Sequence, residues 1–243
     1  MLKTFSITDI GMARKINQDY VFTSERAIGN LPNLFLVADG MGGHKAGDYA
    51  SRCAVETVCE VVEKSVEKDP TMILKKAIEA ANESVYKKSQ EEECFQGMGT
   101  TLVAASCLGN SLQVANVGDS RLYVIGEEIK QITQDHSLVE EMVRMGAMDR
   151  DTAQNHAKKN IITRAIGAGE KVEIDFFTVD LKQGDSILLC SDGLTNMLED
   201  EEIRMIMLAQ RDVVEKVQAL VEEANRRGGM DNITVVLIEP MAQ

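Results

Sequence analysis

The stretch 34–44 constrains this chain more than any other part of its sequence. The apolar run 34–38 is followed directly by Asp39, and three glycines stand within the next four positions. The run predicts a buried strand that ends at Asp39, and the glycines allow the backbone to turn sharply and to approach a ligand closely. Alone, an Asp-Gly pair is more typical of a tight turn, so the interpretation of Asp39 depends on the rest of the chain.

Three further aspartates occupy similar positions. Asp192 and Asp119 each follow a predicted strand, and Asp231 directly precedes the last one. Each has a turn as its simplest explanation, but four aspartates at strand ends, each beside a glycine or asparagine, form a pattern. Because clustered carboxylates repel one another unless a cation lies between them, the pattern favours a metal site.

The ligand chemistry indicates which metal this site would take. Oxygen-only ligand sets select hard ions such as Mg²⁺ or Mn²⁺, and no cysteine or histidine cluster in the sequence has zinc spacing. Two such ions about 3.5–4 Å apart can share a bridging carboxylate and a water, and can direct that water at phosphorus. Arg14, in a polar loop after the first predicted strand, is suited to bind a phosphate in bidentate fashion. Its spacing alone favours an ordinary surface arginine.

The order of the predicted elements indicates an α+β fold. Strands are predicted near both ends of the chain and across 101–133, and amphipathic helices are predicted from Asp48, Asp69-Pro70, Glu201 and Asp212. Because the helices follow one another in pairs, antiparallel sheets covered by helices are favoured over a parallel βαβ arrangement. We expect a single domain over residues 1–243, with a polar exposed insertion at 147–160.

Charge and cysteine usage limit the classes of partner and compartment. The formal net charge of −13 and the pI near 4.8 disfavour binding to nucleic acid and to anionic membranes. The five cysteines form no C-x-x-C pair, which is typical of reduced thiols in a cytosolic protein. No signal peptide or membrane-spanning run is present in the sequence, so the expectation is a cytoplasmic protein.

Seven motifs resemble, in order, those of the PPM/PP2C family of metal-dependent protein serine/threonine phosphatases, and most closely its compact bacterial members. The resemblance covers about residues 5–238. The motifs are Arg14-x-x-Asn17-Gln18-Asp19, Ala38-Asp39-Gly40-Met41-Gly42-Gly43-His44, Met98-Gly99-Thr100-Thr101, Asn116-Val-Gly118-Asp119-Ser120-Arg121, Thr133-Gln134-Asp135-His136-Ser137, Ser191-Asp192-Gly193-Leu194 and Asp231-Asn232.

The resemblance implies a fold and a set of roles. The fold is a four-layer α-β-β-α sandwich, in which two central antiparallel sheets are flanked by antiparallel helix pairs, with a variable flap at about 145–161. The implied roles are these: Asp39 bridges two metal ions, Gly40 offers a backbone carbonyl, Asp192 and Asp231 complete one ion's ligands, Asp119 with Asp192 holds a third ion, Asp19 holds metal-bound water, and Arg14 binds the phosphate.

One position departs from the family pattern. Eukaryotic relatives carry a histidine directly after the Asp-Gly as the proposed general acid, and here that residue is Met41. We hypothesise that a metal-bound water, on the third ion, protonates the leaving oxygen instead. His44 is a candidate helper, although a structural contact or a helix cap is the simpler interpretation.

The sequence thus predicts a Mn²⁺- or Mg²⁺-dependent phosphatase for phosphoserine and phosphothreonine proteins. A metal-bridging water attacks phosphorus directly, without a covalent phosphoenzyme. Family analogy adds a bacterial serine/threonine kinase as a partner and substrate. Two alternatives are a degenerate domain that binds without turnover and a different two-metal hydrolase, such as a nuclease or phosphodiesterase. Retained metal-ligand positions argue against the first, and the net charge of −13 argues against a nuclease.

Overall fold

Two antiparallel β-sheets form the centre of the molecule. The computed structural model describes residues 2–43, 46–149, 152, 156 and 158–240. The strands are β1 (Leu2–Asp9), β2 (Asp19–Ser24), β3 (Leu34–Met41), β4 (Gly99–Thr100), β5 (Leu102–Leu108), β6 (Ser111–Val117), β7 (Arg121–Ile125), β8 (Ile129–Gln131), β9 (Asp175–Asp180), β10 (Ser186–Cys190) and β11 (Ile233–Pro240). The helices are α1 (Ala46–Lys64), α2 (Pro70–Glu91), α3 (Leu138–Arg144), α4 (Asp192–Thr195), α5 (Asp200–Leu208) and α6 (Val213–Arg226), with a 3₁₀ turn at Glu93–Phe95.

The strand order brings the two ends of the described chain together. One sheet has the order β1-β11-β10-β7-β8, and the other has the order β2-β3-β5-β6-β9 with β4 paired to β3. Strands β1 and β11 pair along their whole length, from Leu2 opposite Pro240 to Asp9 opposite Ile233. The sheet that contains β10 is therefore completed only by the last strand.

Local sequence signals set the helix starts. Asp69 caps α2 by accepting a hydrogen bond from the Thr71 amide, and Pro70 occupies the first helical position, where no amide proton is needed. Asp212 and Glu215 form a reciprocal capping box at the start of α6. These starts agree with the sequence-based expectation.

Three apolar clusters define four layers. Between the sheets, Phe35 and Val37 of one sheet share a buried cluster with Leu189 and Val236 of the other. On the outer face of the six-stranded sheet, alternate β3 residues pack with α1 and α2, and on the outer face of the five-stranded sheet β10 and β11 pack with α4, α5 and α6. Since strand side chains alternate between faces, burial of both faces explains the continuous apolar runs. The predicted α+β four-layer sandwich is confirmed.

Several predicted boundaries are wrong. Strand β3 does not end at Asp39 but continues to Met41, because Gly40 and Met41 pair with the two-residue strand β4. The sequence also predicts strands over 129–133 and 172–179, and the structure has β8 (Ile129–Gln131) and β9 (Asp175–Asp180) in their place. The expected insertion at 147–160 and the flap at 145–161 fall partly outside the described residues.

Within the part of the chain that the structure describes, no helix has both the length and the apolar character needed to cross a lipid bilayer.

Candidate active site

Asp39 lies near the end of β3 in the six-stranded sheet. In the register of β2 and β3 it stands directly opposite Asp19, so two carboxylates occupy neighbouring positions across the strands. Its backbone amide donates to the Thr101 hydroxyl at 2.9 Å, and its carbonyl accepts from the Thr100 hydroxyl at 2.8 Å. The Thr101 hydroxyl in turn shares a 2.7 Å hydrogen bond with Ser120. The main chain at Asp39 is thereby fixed by polar groups inside the sheet.

Gly40 is required by close backbone packing. A Cβ atom at this position would lie 2.1 Å from the Gly47 carbonyl oxygen and 2.6 Å from the Gln18 carbonyl oxygen. Its amide donates to that Gln18 carbonyl at 3.1 Å. The start of α1 and the loop before β2 therefore both press against Gly40, which leaves no room for a side chain.

Asp19 is a buried carboxylate that joins the two sheets. Its side chain accepts hydrogen bonds at Oδ2 from the hydroxyls of Ser191 and Thr234, both at 2.7 Å, while its Oδ1 is buried without a partner. Burial, opposed by these two hydrogen bonds and reinforced by Asp192 and Asp231, raises the pKa of Asp19 to about 7. The Asp19 carboxylate is thus buried among hydroxyl groups, and its Oδ1 is available to a further ligand.

Asp192 begins the short helix α4, and the N-cap Ser191 separates it from the end of β10. Its Oδ2 accepts a 2.9 Å hydrogen bond from the Asn196 amide nitrogen, and its Oδ1 is buried without a partner. Burial and the nearby charge of Asp231 raise the pKa of Asp192. The next residue, Gly193, packs so tightly that a Cβ would lie 1.9 Å from the Asn232 carbonyl oxygen.

Asp119 follows β6 and is only 7% exposed. Its Oδ1 has no hydrogen-bond partner, and burial together with the charges of Asp192 and Asp135 raises its pKa to about 8. The preceding residue, Gly118, has φ +106° and donates its amide hydrogen to His136 Nδ1 at 3.0 Å. That bond makes Nδ1 the acceptor, so the ring presents its other nitrogen to Asp175 at 3.2 Å.

Asp231 pairs with Arg14 across the chain. Arg14 Nη2 lies 2.7 Å from Asp231 Oδ2, and both side chains keep contact with solvent. Asp231 Oδ1 accepts from the Asn232 amide at 2.9 Å. Sequence reasoning placed Arg14 and Asp231 in one site but did not foresee that they would bind each other.

The loop that carries Arg14 is held by Asn232. The side chain of Asn232 accepts from the Gln18 amide at 2.8 Å and donates to the carbonyl oxygens of Ile10 and Ile16 at 2.9 and 3.1 Å. These three bonds place the loop over the end of β11.

The carboxylates form one electrostatic unit. The pKa of Asp39 is raised well above its ordinary range by burial and then by Asp19, Asp192, Asp119 and Asp231. Three of the five offer a buried oxygen without a partner. Such an arrangement is costly for the isolated protein and fits a hard divalent cation held by carboxylates and water.

The carboxylates do not yet form a closed coordination sphere. Among the described residues, no three histidine, cysteine, aspartate or glutamate side chains are arranged around one point as a ready metal site. The ion pair with Arg14 gives one reason, because it engages the Asp231 carboxylate. Ligation by Asp231 would require that this pair open.

His44 and Met41 occupy the two positions that bear on proton transfer to the leaving oxygen. His44 lies outside the described residues. Met41 is the partner of Gly99 in the β3–β4 pairing, and its thioether has no proton to transfer.

Some supporting residues were not anticipated from the sequence. The hydroxyls of Ser191 and Thr234 donate hydrogen bonds to Asp19. The Ser120 hydroxyl shares a hydrogen bond with that of Thr101. The available signal was a hydroxyl residue inside an otherwise apolar strand, as at Thr234 in β11.

The sequence is similar to known proteins over nearly its whole length. Residues 13–237 match the family model described as protein phosphatase 2C. The chain is 42% identical to the serine/threonine phosphatase stp of Listeria monocytogenes, over 96% of this chain and 93% of that one.

Two solved structures are similar over nearly the whole chain. The serine/threonine phosphatase Stp1 from Staphylococcus aureus superposes with a TM-score of 0.93 at 34% identity, covering 100% of this chain and 96% of that one. The catalytic domain of the serine/threonine protein phosphatase PstP, in complex with two manganese ions, has a TM-score of 0.85 at 33% identity and covers 98% of this chain and 97% of that one.

Proposed function

The chain belongs to the protein phosphatase 2C family and is a serine/threonine phosphatase, and from this we propose that its aspartate cluster is the catalytic centre for hydrolysis of phosphoserine and phosphothreonine in proteins. The observation that carries the proposal is the cluster itself, in which Asp19, Asp119 and Asp192 each have a buried, unpartnered oxygen.

We assign the cofactor as Mn²⁺ or Mg²⁺, with two core ions and a third. Asp39, the Gly40 carbonyl, Asp192 and Asp231 would hold the core ions, and Asp19 would act through a water. When bound, the ions activate a water for attack on phosphorus and neutralise charge on the phosphate. The manganese complex of PstP supports this choice of metal.

Arg14 is proposed to bind the phosphate. Its guanidinium is half exposed and already positioned to bind an anionic group, since it holds the Asp231 carboxylate at 2.7 Å. A phosphate dianion can accept two hydrogen bonds from the guanidinium and carries more charge than a carboxylate. Exchange of Asp231 for phosphate would free the carboxylate and bring the charge of Arg14 onto the group that reacts.

Asp119 and Asp192 are proposed to hold the third ion. Each has a buried oxygen without a hydrogen-bond partner, and burial together with the charge of Asp192 raises the pKa of Asp119. Because Met41 has no proton to give, we assign protonation of the leaving oxygen to water held at this edge of the cluster, with His44 as a candidate helper.

The wider biological assignments rest on family analogy. We propose that the substrates include a serine/threonine kinase, that the protein acts in the cytoplasm without nucleic acid or membrane as a partner, and that residues 1–243 form one catalytic domain with a variable flap at 145–161.

The test is hydrolysis of a phosphothreonine peptide by metal-stripped protein with and without Mn²⁺. We expect activity only with Mn²⁺, and a loss of about 100-fold or more in Asp192→Asn. Asp180→Asn, at the exposed end of β9, is the matched control and should keep full activity. Turnover that survives both metal removal and Asp192→Asn would place the reaction elsewhere, and no turnover by folded, metal-loaded protein would favour a binding module.

A further inference from the structure

The two loops that meet at the Arg14–Asp231 pair form one unit. One joins β1 to β2 and the other joins α6 to β11. The amides of Met12 and Ala13 both donate to the Gly229 carbonyl, at 2.8 and 3.1 Å. With the three bonds of Asn232 described above, the loops are tied together at several points.

This unit exposes four large apolar side chains. They are Ile10 (40%), Met12 (71%), Ile16 (40%) and Met230 (62%), here called the apolar rim. Eleven large apolar side chains are exposed in the described part of the chain, so these two short loops carry four of them. Single exposed apolar residues are ordinary, but several on two connected loops are typical of a binding surface.

The position of Met12 is built into the backbone. Gly229 has φ +49°, and a Cβ there would lie 2.8 Å from the Met12 amide nitrogen and 2.9 Å from its Cγ. A larger residue at Gly229 would displace Met12. Beside it, the Met230 side chain lies against Gly228, 3.8 Å from where a Cβ would be. The loop glycines thus let both methionines rest on the backbone next to Arg14.

Charge narrows the class of partner that suits this surface. The protein carries a net charge of −13, so the molecule as a whole repels acidic segments beside a phosphorylated residue. An uncharged apolar segment meets no such repulsion and removes methionine surface from water. Methionine also adapts to side chains of different shape.

We propose that the apolar rim binds the residues that flank the phosphorylated serine or threonine of a substrate protein, and that it selects apolar flanks over polar ones. This inference rests on the proposed function, because the phosphate must occupy the site at Arg14 for its neighbours to reach the rim. The occupant is an extended phosphorylated segment with apolar side chains beside the phosphoresidue.

The experiment compares two phosphothreonine peptides of equal length, one with leucines and one with serines beside the phosphothreonine. With Mn²⁺-loaded protein we expect kcat/KM about tenfold higher for the leucine peptide, on the scale of partly burying two methionines. In the double variant Met12→Gln with Met230→Gln the ratio should fall to near one. Met205→Gln, equally exposed on α5, should keep the wild-type ratio.

The outcomes are separable. Equal kcat/KM for the two peptides in the wild type, or an unchanged ratio in the double variant, overturns the rim while leaving the phosphatase assignment intact. Hydrolysis of neither peptide, nor of p-nitrophenyl phosphate, by metal-loaded wild-type protein overturns the proposed function and the rim with it.

Discussion

At the scale of single residues, the site depends on two glycines as much as on the aspartates. Gly40 and Gly193 each face a backbone carbonyl at a distance that excludes a Cβ. Each follows directly after an aspartate of the cluster. Close backbone packing behind the carboxylate therefore fixes its direction at both positions.

Gly40→Ala should destabilise the protein by about 3 kcal/mol or more, because the added carbon would meet the main chain of Gly47, which cannot move aside easily. Urea unfolding measures the loss. Gly43→Ala is the matched control, since nothing lies within 4 Å of a Cβ at Gly43, and it should change stability by less than about 1 kcal/mol. Equal stability of the two variants would contradict the packing argument.

The residues also show how far the sequence alone could lead. Asp39 and Asp192 were predictable because each stands at the end of a short apolar run, which is a local signal. The hydrogen bonds to Asp19 were not predictable, because the hydroxyl donors Ser191 and Thr234 are 172 and 215 positions away in the sequence. The pairing of Arg14 with Asp231 spans 217 positions, so it too is a product of the tertiary fold.

At the scale of elements, the loop between β1 and β2 is attached to the site through one side chain. Asn232 is buried and makes three hydrogen bonds to the backbone of that loop. Strand ends show the same dependence on remote contacts: β3 continues past Asp39 only because the short β4 pairs with it. Pairing of this kind leaves no local sequence signal, which is why the predicted end of β3 was wrong.

Asn232→Ala should cost about 2–4 kcal/mol of stability, because three backbone groups lose their partner, and should lower kcat/KM for a phosphothreonine peptide by displacing Arg14. Thermal unfolding and steady-state kinetics measure the two effects. The control is Asn30→Ala, whose exposed amide bonds the carbonyls of Ser65 and Glu67 far from the site. A fully active Asn232→Ala protein would show that the loop is positioned by other contacts.

At the scale of the whole molecule, the cluster links stability to pH and metal. In the metal-free protein the pKa of Asp19 is raised to about 7 and that of Asp119 to about 8, mainly by burial, whereas unfolding returns both to near 4. The folded state then binds more protons than the unfolded state between these values. The contribution of these two groups to the free energy of unfolding is therefore fully present below about pH 4. It is lost as pH rises toward 8.

We therefore expect the melting temperature of the metal-free protein to be lower at pH 8 than at pH 6, and the stabilisation by Mn²⁺ to be larger at pH 8. Scanning calorimetry with and without metal measures both. Asp119→Asn should flatten the pH dependence, because it removes one of the titrating groups, whereas Asp180→Asn should not. A metal-free protein that becomes more stable between pH 6 and pH 8 would contradict the assignment.

The pairing of β1 with β11 has a consequence for the order of events during synthesis. A growing polypeptide that has emerged only as far as α6 already contains Asp39 and Asp192, yet it lacks Asp231, Asn232 and Thr234. In such a chain Arg14 lacks its ion-pair partner Asp231, and the loop that carries Arg14 lacks its hydrogen bonds to Asn232. Asp19 lacks the hydrogen bond from Thr234. We therefore expect catalytic activity only after β11 has paired with β1 and β10, so that incomplete chains do not act on phosphorylated proteins.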